Sequence, residues 1–364
     1  MSLQPSVPNL AADEPGARFE RRGAAGFILL DRPKALNALT LDMVRAIAEA
    51  LDVFERDERV ARVVVASAGG RAFCAGGDIR LIYEQGRAGD HAAQLTFWRE
   101  EYRLNRRIKR YSKPYVALID GVVMGGGAGL CLHGSRSVAS ERCVFAMPEV
   151  GIGFFPDVGA TFALPRLPRR VGVYLAATGL RAEAGDVVAL SLAQSFVASA
   201  SFGELARALE EEGSLDEIIA RFAAPPPPSP IMAEAARIEA WFSRLERRAI
   251  LEALAASAGE GSPSARSALQ AMEEKSPTSQ AIALRQMALG GGLSFEDAMR
   301  TEFRIVSRVC RGHDFYEGVR AAIIDKDQSP HWRPGPDEAL DEGAIAAFFA
   351  PLGAEELTFP EAPR

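Results

Sequence analysis

The sequence predicts an α/β core followed by an all-helical C-terminal part. Three observations carry the prediction. Two continuous apolar runs, 63–66 and 115–119, are each followed by a short glycine-rich turn, Phe73-Cys-Ala-Gly-Gly-Asp-Ile79 and Met124-Gly-Gly-Gly-Ala-Gly129. Each turn leads into residues that can be helical, and unbroken β-branched runs are what parallel strands buried on both faces require. From about Val171 onward the texture changes to helical periodicity.

Taken in order, residues 26–30 form a short strand that ends in the turn Asp31-Arg32-Pro33. Thr40 is placed to cap a helix, in which Leu41, Val44, Ile47, Ala48, Leu51 and Phe54 recur at helical spacing. Strand 63–66 follows. Residues 96–111 make a charged helix with Phe97, Tyr102, Leu104 and Ile108 as its less polar positions. Strand 115–119, a helix over 126–133 and short strands at 137–139 and 143–146 complete the core. Strand, turn and helix repeated with short connections indicate ββα or βαβ units. Helices are expected at 171–178, 185–190 and 202–212. The run Ala224-Pro-Pro-Pro-Pro-Ser-Pro230 is an extended joint that no helix interior or central strand contains. Further helices are expected at 233–255, 279–288 and 295–310. The organisation anticipated is a loose tail over 1–17, a catalytic core over 18–205, and a helical region over 206–364 with the proline joint at 225–230.

Bulk properties exclude several classes. The 364 residues are 48% hydrophobic and 25% charged, with net charge −6. That is an ordinary globular profile, and it argues against a nucleic-acid-binding surface. No run approaches the ~20 apolar residues of a membrane span, and no apolar leader opens the chain, so neither a membrane protein nor a signal peptide is expected. Cys74, Cys131, Cys143 and Cys310 form no CxxC pair, and His91, His133, His313 and His331 show no metal-ligand spacing. No metal site is expected, and a reducing cytoplasm fits.

The two glycine turns let a backbone approach a ligand with no side chain in the way. Aimed at one point, their N–H groups would stabilise a carbonyl oxygen as it becomes an oxyanion. Either turn alone is also what a tight strand–helix connection or close helix packing requires. The second turn is not GxGxxG, because residue 130 is Leu, and it is not a P-loop. Glu149 and Asp157 sit in apolar company, among Phe145, Met147, Val150, Ile152, Phe154, Phe155 and Val158. Carboxyls so placed carry raised pKa values. Each could instead cap a turn, with Asp157 as a helix N-cap. Two acids with two glycine turns favour a site. There is no GxSxG elbow, and Cys74 reads as a small buried side chain.

The motifs Asp31-Arg-Pro-Lys-Ala-Leu-Asn37, Phe73-Cys-Ala-Gly-Gly-Asp78, Gly121-Val-Val-Met-Gly-Gly-Gly127 and Met147-Pro-Glu149, in this order, resemble the crotonase (enoyl-CoA hydratase/isomerase) superfamily over about residues 18–205. Glu100-Glu-Tyr102, Phe154-Phe-Pro-Asp-Val-Gly159, Lys275-Ser-Pro-Thr278, Arg311-Gly-His-Asp-Phe-Tyr-Glu-Gly-Val-Arg320 and Ile324-Asp-Lys-Asp-Gln-Ser-Pro330 resemble its 3-hydroxyisobutyryl-CoA hydrolase subgroup and extend the likeness over nearly the whole chain. The resemblance implies a crotonase-like spiral of ββα units and an acyl-CoA thioester as ligand. It implies that the amides of Gly77 and Gly126 form an oxyanion hole, and that Glu149 and Asp157 are catalytic. Glu101 would contact the substrate, while Lys34, Ala35 and Leu36 with Ala75, Gly76, Asp78 and Ile79 would line the CoA channel. Hydratases of the superfamily usually carry a second glutamate where this chain has Gly129, which favours hydrolysis over hydration. CoA would enter only as part of the substrate, with no separate cofactor. A hydratase or isomerase working with Glu149 alone is the second expectation, and a non-catalytic acyl-CoA-binding protein the third. The C-terminal helices would cover the chain's own site or pack on a second copy, so a homo-oligomer is compatible.

Overall fold

The computed structural model describes residues 16–336 and 338–359. The anticipated tail lies outside these residues except for Gly16 and Ala17, and Ala17 already belongs to a strand. The strands are β1 (Ala17–Arg22), β2 (Ala25–Leu30), β3 (Arg62–Ser67), β4 (Ala72–Cys74), β5 (Tyr115–Ile119), β6 (Val122–Met124), β7 (Arg136–Ala139), β8 (Val144–Ala146), β9 (Ala182–Glu183) and β10 (Ser195–Phe196). They form a sheet of order β1-β2-β3-β5-β7-β10 and a smaller one of order β4-β6-β8-β9. Apart from the antiparallel β1–β2 hairpin, the larger sheet is parallel. β3, β5 and β7 are each followed at once by a strand of the smaller sheet, β4, β6 and β8. Helices Ile79–Arg87 and Gly126–Cys131 follow β4 and β6. This is the repeated ββα turn.

Local chemistry explains the boundaries. Thr40 caps helix Leu41–Arg56 by accepting the Met43 N–H, and Val44, Ile47, Leu51 and Phe54 are buried. β3 is unalternating because both its faces are covered: Val63, Val64 and Val65 are all inaccessible. The charged helix begins earlier than its periodicity predicts, at His91, and runs to Lys109. Asp90 supplies the missing start signal, its side chain accepting the Ala93 N–H. The expected helix over 233–255 is two, Ala235–Trp241 and Arg247–Gly259. The break brings Trp241 Nε1 to 2.8 Å from Ser257 Oγ. Short helices Leu215–Ala220, His313–Val319 and Glu342–Phe348, and the longer Pro263–Glu274, join those expected.

The described residues fall into two compact units, each assembled from separated stretches of chain. One takes the residues up to Gly77, 104–145 and 182–232; the other takes 78–103, 146–181 and 233 onward. A boundary at residue 205 would cut helix Phe202–Ala208. Leu205 and Leu209 share one hydrophobic cluster with Phe27, Val64, Val116 and Val138 of the larger sheet, which keeps this stretch in the first unit. Among the described residues no helix is long and apolar enough to cross a membrane.

Arg62, at the start of β3, ties that stretch to the sheet. It is buried, and its guanidinium donates to the carbonyls of Leu209 at 2.9 Å, Glu211 at 2.6 Å and Gly213 at 2.7 Å. These are the carbonyls left open past a helix C-terminus. Arg62→Met keeps the aliphatic stem and removes all three bonds. It is expected to lower the unfolding free energy by about 2–3 kcal/mol in urea titration. A loss under about 0.5 kcal/mol would show that the tie is dispensable.

Candidate active site

The first unit holds both glycine turns. Asn37 organises the first. It is buried, and its Nδ2 donates to Ser67 Oγ at 2.9 Å, Ala72 O at 3.1 Å and Phe73 O at 3.0 Å, while its Oδ1 accepts the Arg32 N–H. This staples the short 3₁₀ turn Pro33–Ala35, and with it Lys34, Ala35 and Leu36, to the end of β3 and to β4. Ala75 N donates to Leu36 O, and Leu39 N to Gly76 O. With the Gly76 carbonyl held on one side, the trans peptide presents the Gly77 N–H on the other. Asp78 then caps the next helix by accepting the Leu81 N–H, and Ile79 is its first residue.

The second turn lies alongside. Gly76 has φ +114°, and a Cβ there would stand 3.5 Å from Met124 O and 3.8 Å from Gly126 N. A Cβ on Gly127 would fall 2.2 Å from Cys74 O, backbone that has no room to yield. Glycine at 127 is therefore a packing requirement between the two turns, and glycine at 76 is required by its positive φ. Gly126 opens helix Gly126–Cys131, so its N–H has no partner within that helix.

The second unit holds the acids. Glu101 and Tyr102 come from helix His91–Lys109, Glu149 opens the 3₁₀ turn Glu149–Ile152, and Asp157 lies in the loop before the short helix Ala160–Ala163. All four are buried. Asp157 is not an N-cap: that place belongs to Gly159, at φ +90°. Its carboxylate instead accepts the Tyr102 hydroxyl at 2.8 Å. A further buried acid, Glu302 on helix Phe295–Val309, accepts the N–H groups of Gly159 at 2.8 Å and Thr161 at 2.9 Å. Glu101 Oε1 and Glu149 Oε2 are buried with no hydrogen-bond partner among the described residues. Trp98 stacks on Phe154, Phe154 on Phe155, and Tyr102 meets Phe303 edge-on.

Burial in this aromatic setting lifts every carboxyl of the group. Glu101 is raised well above the usual range, by burial first and then by the charges of Asp157, Glu302 and Glu149. Glu149 is raised well above it by burial and the Asp157 charge. Burial pushes Asp157 up to about 7 against the pull of the Tyr102 bond. Glu302 is pushed up to about 8 by burial and by Asp157, against its two amide donors.

The C-terminal motifs support the Glu149 turn. A Cβ on Gly153, at φ +68°, would lie 1.9 Å from Asp314 O, and one on Gly318 would lie 2.3 Å from Ile152 C. Helix His313–Val319 therefore packs backbone-to-backbone on residues 152–153. Ser276 N donates to Val150 O at 3.2 Å, and Ser276 Oγ to Asp314 at 2.6 Å. Arg320 gathers Glu317, Asp325 and Asp327, bracing the segment beyond.

Of the residues singled out in the sequence, Glu101, Glu149 and Asp157 come together in one unit, and the Gly77 and Gly126 turns in the other. Tyr102 entered as a less polar helix position and within a quoted motif, without a site role; Gln286 and Glu302 were missed. A signal existed. Glu302 falls on the stripe Phe295, Ala298, Met299, Ile305, Val306 and Val309, and Gln286 on the stripe Ile282, Ala283 and Gly290, all buried. A polar residue on the apolar face of a helix marks a buried polar contact.

The raised acids set a pH dependence. An acid whose pKa rises from 3.8 to about 7 on folding binds its proton more tightly folded than unfolded. Its contribution favours the fold below about pH 4 and is lost as pH rises to about 7. Asp157→Asn removes that loss. The variant is expected to exceed the parent in stability by roughly 2–4 kcal/mol at pH 8, with the margin closing toward pH 4. Urea titrations at several pH values check this, and a margin independent of pH contradicts it.

The family described as enoyl-CoA hydratase/isomerase matches residues 25–349. The Xenopus tropicalis protein named 3-hydroxyisobutyryl-CoA hydrolase, mitochondrial, is 43% identical over 347 residues, covering 93% of this chain and 89% of the relative. The human protein of that name is 41% identical over 351 residues, covering 94% and 90%. A crystal structure described as a carnitinyl-CoA dehydratase from Mycobacterium thermoresistibile superposes with TM-score 0.90 at 37% identity, over 95% of this chain and 99% of that one. One described as an enoyl-CoA hydratase from Rhodobacter sphaeroides 2.4.1 gives 0.88 at 40% identity, over 94% and 100%. The ββα spiral is thus the crotonase fold, and the chain belongs to the enoyl-CoA hydratase/isomerase family.

Proposed function

We propose that the chain hydrolyses a short 3-hydroxyacyl-CoA thioester, with 3-hydroxyisobutyryl-CoA as the preferred substrate, to the free hydroxy acid and CoA. One observation carries the reading: the buried carboxyls Glu101 and Glu149 each keep an oxygen without a partner beside Asp157. A group buried at that cost and left unpaired is poised for a ligand. The name shared by relatives at 41–43% identity supports the same substrate.

In the proposed reaction the thioester oxygen accepts the Gly77 and Gly126 amides. Losing one such donor costs roughly 3–4 kcal/mol of barrier. Lys34, Ala35 and Leu36 with Ala75, Gly76, Asp78 and Ile79 line the path of the CoA moiety. CoA arrives and departs with the substrate, and the proposal invokes no other cofactor. Glu149 supplies the reacting carboxylate, and two routes share this assignment. As general base it takes a proton from water as the oxygen adds to the carbonyl carbon. The tetrahedral oxyanion then collapses, the C–S bond breaks, and the proton passes to the thiolate. As nucleophile, its oxygen adds directly, thiolate leaves, and water cleaves the mixed anhydride. Asp157 orients the water or the 3-hydroxyl, and Glu101 holds the hydroxyl end.

The two solved structures described as a dehydratase and a hydratase keep a second reading in play. Against it, the place where a second catalytic glutamate would stand is Gly129, fully buried inside helix Gly126–Cys131. The compartment also changes. The relatives are named as mitochondrial, which does not support the cytoplasm expected from the cysteines. All four cysteines are buried and outside any disulfide, which suits either compartment.

Thiol release across plain and 3-hydroxylated short acyl-CoAs tests the reading. Fastest release from 3-hydroxyisobutyryl-CoA is expected. Loss of the enoyl absorbance of crotonyl-CoA without thiol would establish a hydratase, and binding without release from any thioester a non-catalytic protein. Glu149→Gln is expected to reduce kcat at least ~10³-fold while CoA binding stays near normal; an active variant refutes the assignment. After a single turnover in ¹⁸O-labelled water, label in Glu149 marks the anhydride route with water attacking the Glu149 carbonyl.

A further inference from the structure

We propose that Glu302 and Gln286 are positioning residues that clamp the loop carrying Asp157 and so set the direction of its carboxylate; this rests on the role for Asp157 proposed above. The loop is held on both sides of that residue. Before it, Gln286 Nε2 donates to Pro156 O at 2.9 Å. After it, the Glu302 carboxylate takes the Gly159 and Thr161 N–H groups, one on each oxygen. Thr161 meets both grips: its Oγ1 accepts Gln286 Nε2 at 2.7 Å and its N–H donates to Glu302 at 2.9 Å. Gln286, Glu302 and Thr161 are all inaccessible to solvent. Both hydrogens of the Gln286 amide are spent on this loop, while its Oε1 has no partner among the described residues.

Between the grips the backbone takes a course that needs holding. Val158 has φ +50° and Gly159 φ +90°. A β-branched residue in the left-handed region is uncommon and persists only where its surroundings over-determine it. Relaxation of Val158 would rotate the neighbouring peptides and swing Asp157 away from Tyr102. The choice of an acid for the second grip is informative. Two loop amides could be met by a neutral side chain, whereas an acid buried beside Asp157 carries a desolvation and repulsion cost. A carboxylate sets one acceptor oxygen against each N–H, whereas an amide in the same position would turn its NH₂ toward one of them. Asp157 is faced by Tyr102 and Glu101 from one helix, Glu302 from a second and Glu149 from the 149 turn.

The test is steady-state thiol release from 3-hydroxyisobutyryl-CoA by the full chain, as a function of pH. Glu302→Gln and Gln286→Met are expected to lower kcat about 10–100-fold with KM within about threefold. In Glu302→Gln the acid limb of the kcat profile moves to lower pH, because one neighbouring acid is gone. Thr161→Val, which removes the hydroxyl that accepts Gln286, lowers kcat severalfold, and Thr161→Ser restores it. Should Glu302→Gln not fold, the Thr161 pair decides the matter alone. Unchanged kcat in Glu302→Gln, or equal kcat for Thr161→Val and Thr161→Ser, overturns the clamp. Asp157→Asn serves as the reference. If it retains full kcat, the assignment of Asp157 fails and the clamp with it; if it is impaired while Glu302→Gln is not, only the clamp fails.

Discussion

The second unit is organised around keeping several carboxyls out of water. Glu101, Glu149, Asp157 and Glu302 are buried together, and the charges that act on them most strongly are one another's. Desolvation is the largest influence on each. An arrangement of this kind destabilises the fold at neutral pH, so the surrounding structure has to hold it in place. The stacked Trp98, Phe154 and Phe155 exclude solvent. Tyr102 and the loop amides give Asp157 and Glu302 the few donors they have. The C-terminal helix His313–Val319 presses so closely on the Glu149 turn that only glycine fits at 153 and 318.

The first unit meets a different constraint, close approach of backbone to backbone. Asn37 spends its side-chain amide on three acceptors around β4, and the Cys74 carbonyl occupies the place of any side chain at Gly127. Both devices hold peptide groups, not side chains, in a set direction. Rigid amides suit the stabilisation of developing charge because they need no reorganisation when the charge appears. The first unit thus holds peptide groups in set directions, and the second holds carboxyls with raised pKa.

Much of this was legible in the chain itself. Strands β2, β3, β5 and β8 announce themselves because unbroken apolar runs between turn residues have few other solutions. The acids at 149 and 157 stand out because their neighbours are apolar in sequence, and those neighbours remain their neighbours in space. β1 was missed because Arg18, Glu20, Arg21 and Arg22 mask it; it is a sheet-edge strand whose partner, not its own composition, makes it a strand. Glu302 was missed because its site neighbours are 141 to 145 residues away in sequence, and only the helical stripe it interrupts betrays it. The glycines at 153 and 318 illustrate the same limit. Their requirement comes from a contact between the 149 turn and a helix more than 150 residues later, which no local pattern encodes.

The most direct measurement of the central claim is a crystal structure of the Glu149→Gln variant with intact 3-hydroxyisobutyryl-CoA. The account predicts the thioester oxygen within about 3 Å of both the Gly77 and Gly126 nitrogens. It predicts the residue 149 side chain within ~3.5 Å of the carbonyl carbon or of one intervening water, and the 3-hydroxyl against Asp157 or Glu101. A thioester bound with its carbonyl turned from those amides, or with residues 149 and 157 out of reach of the acyl group, would contradict it.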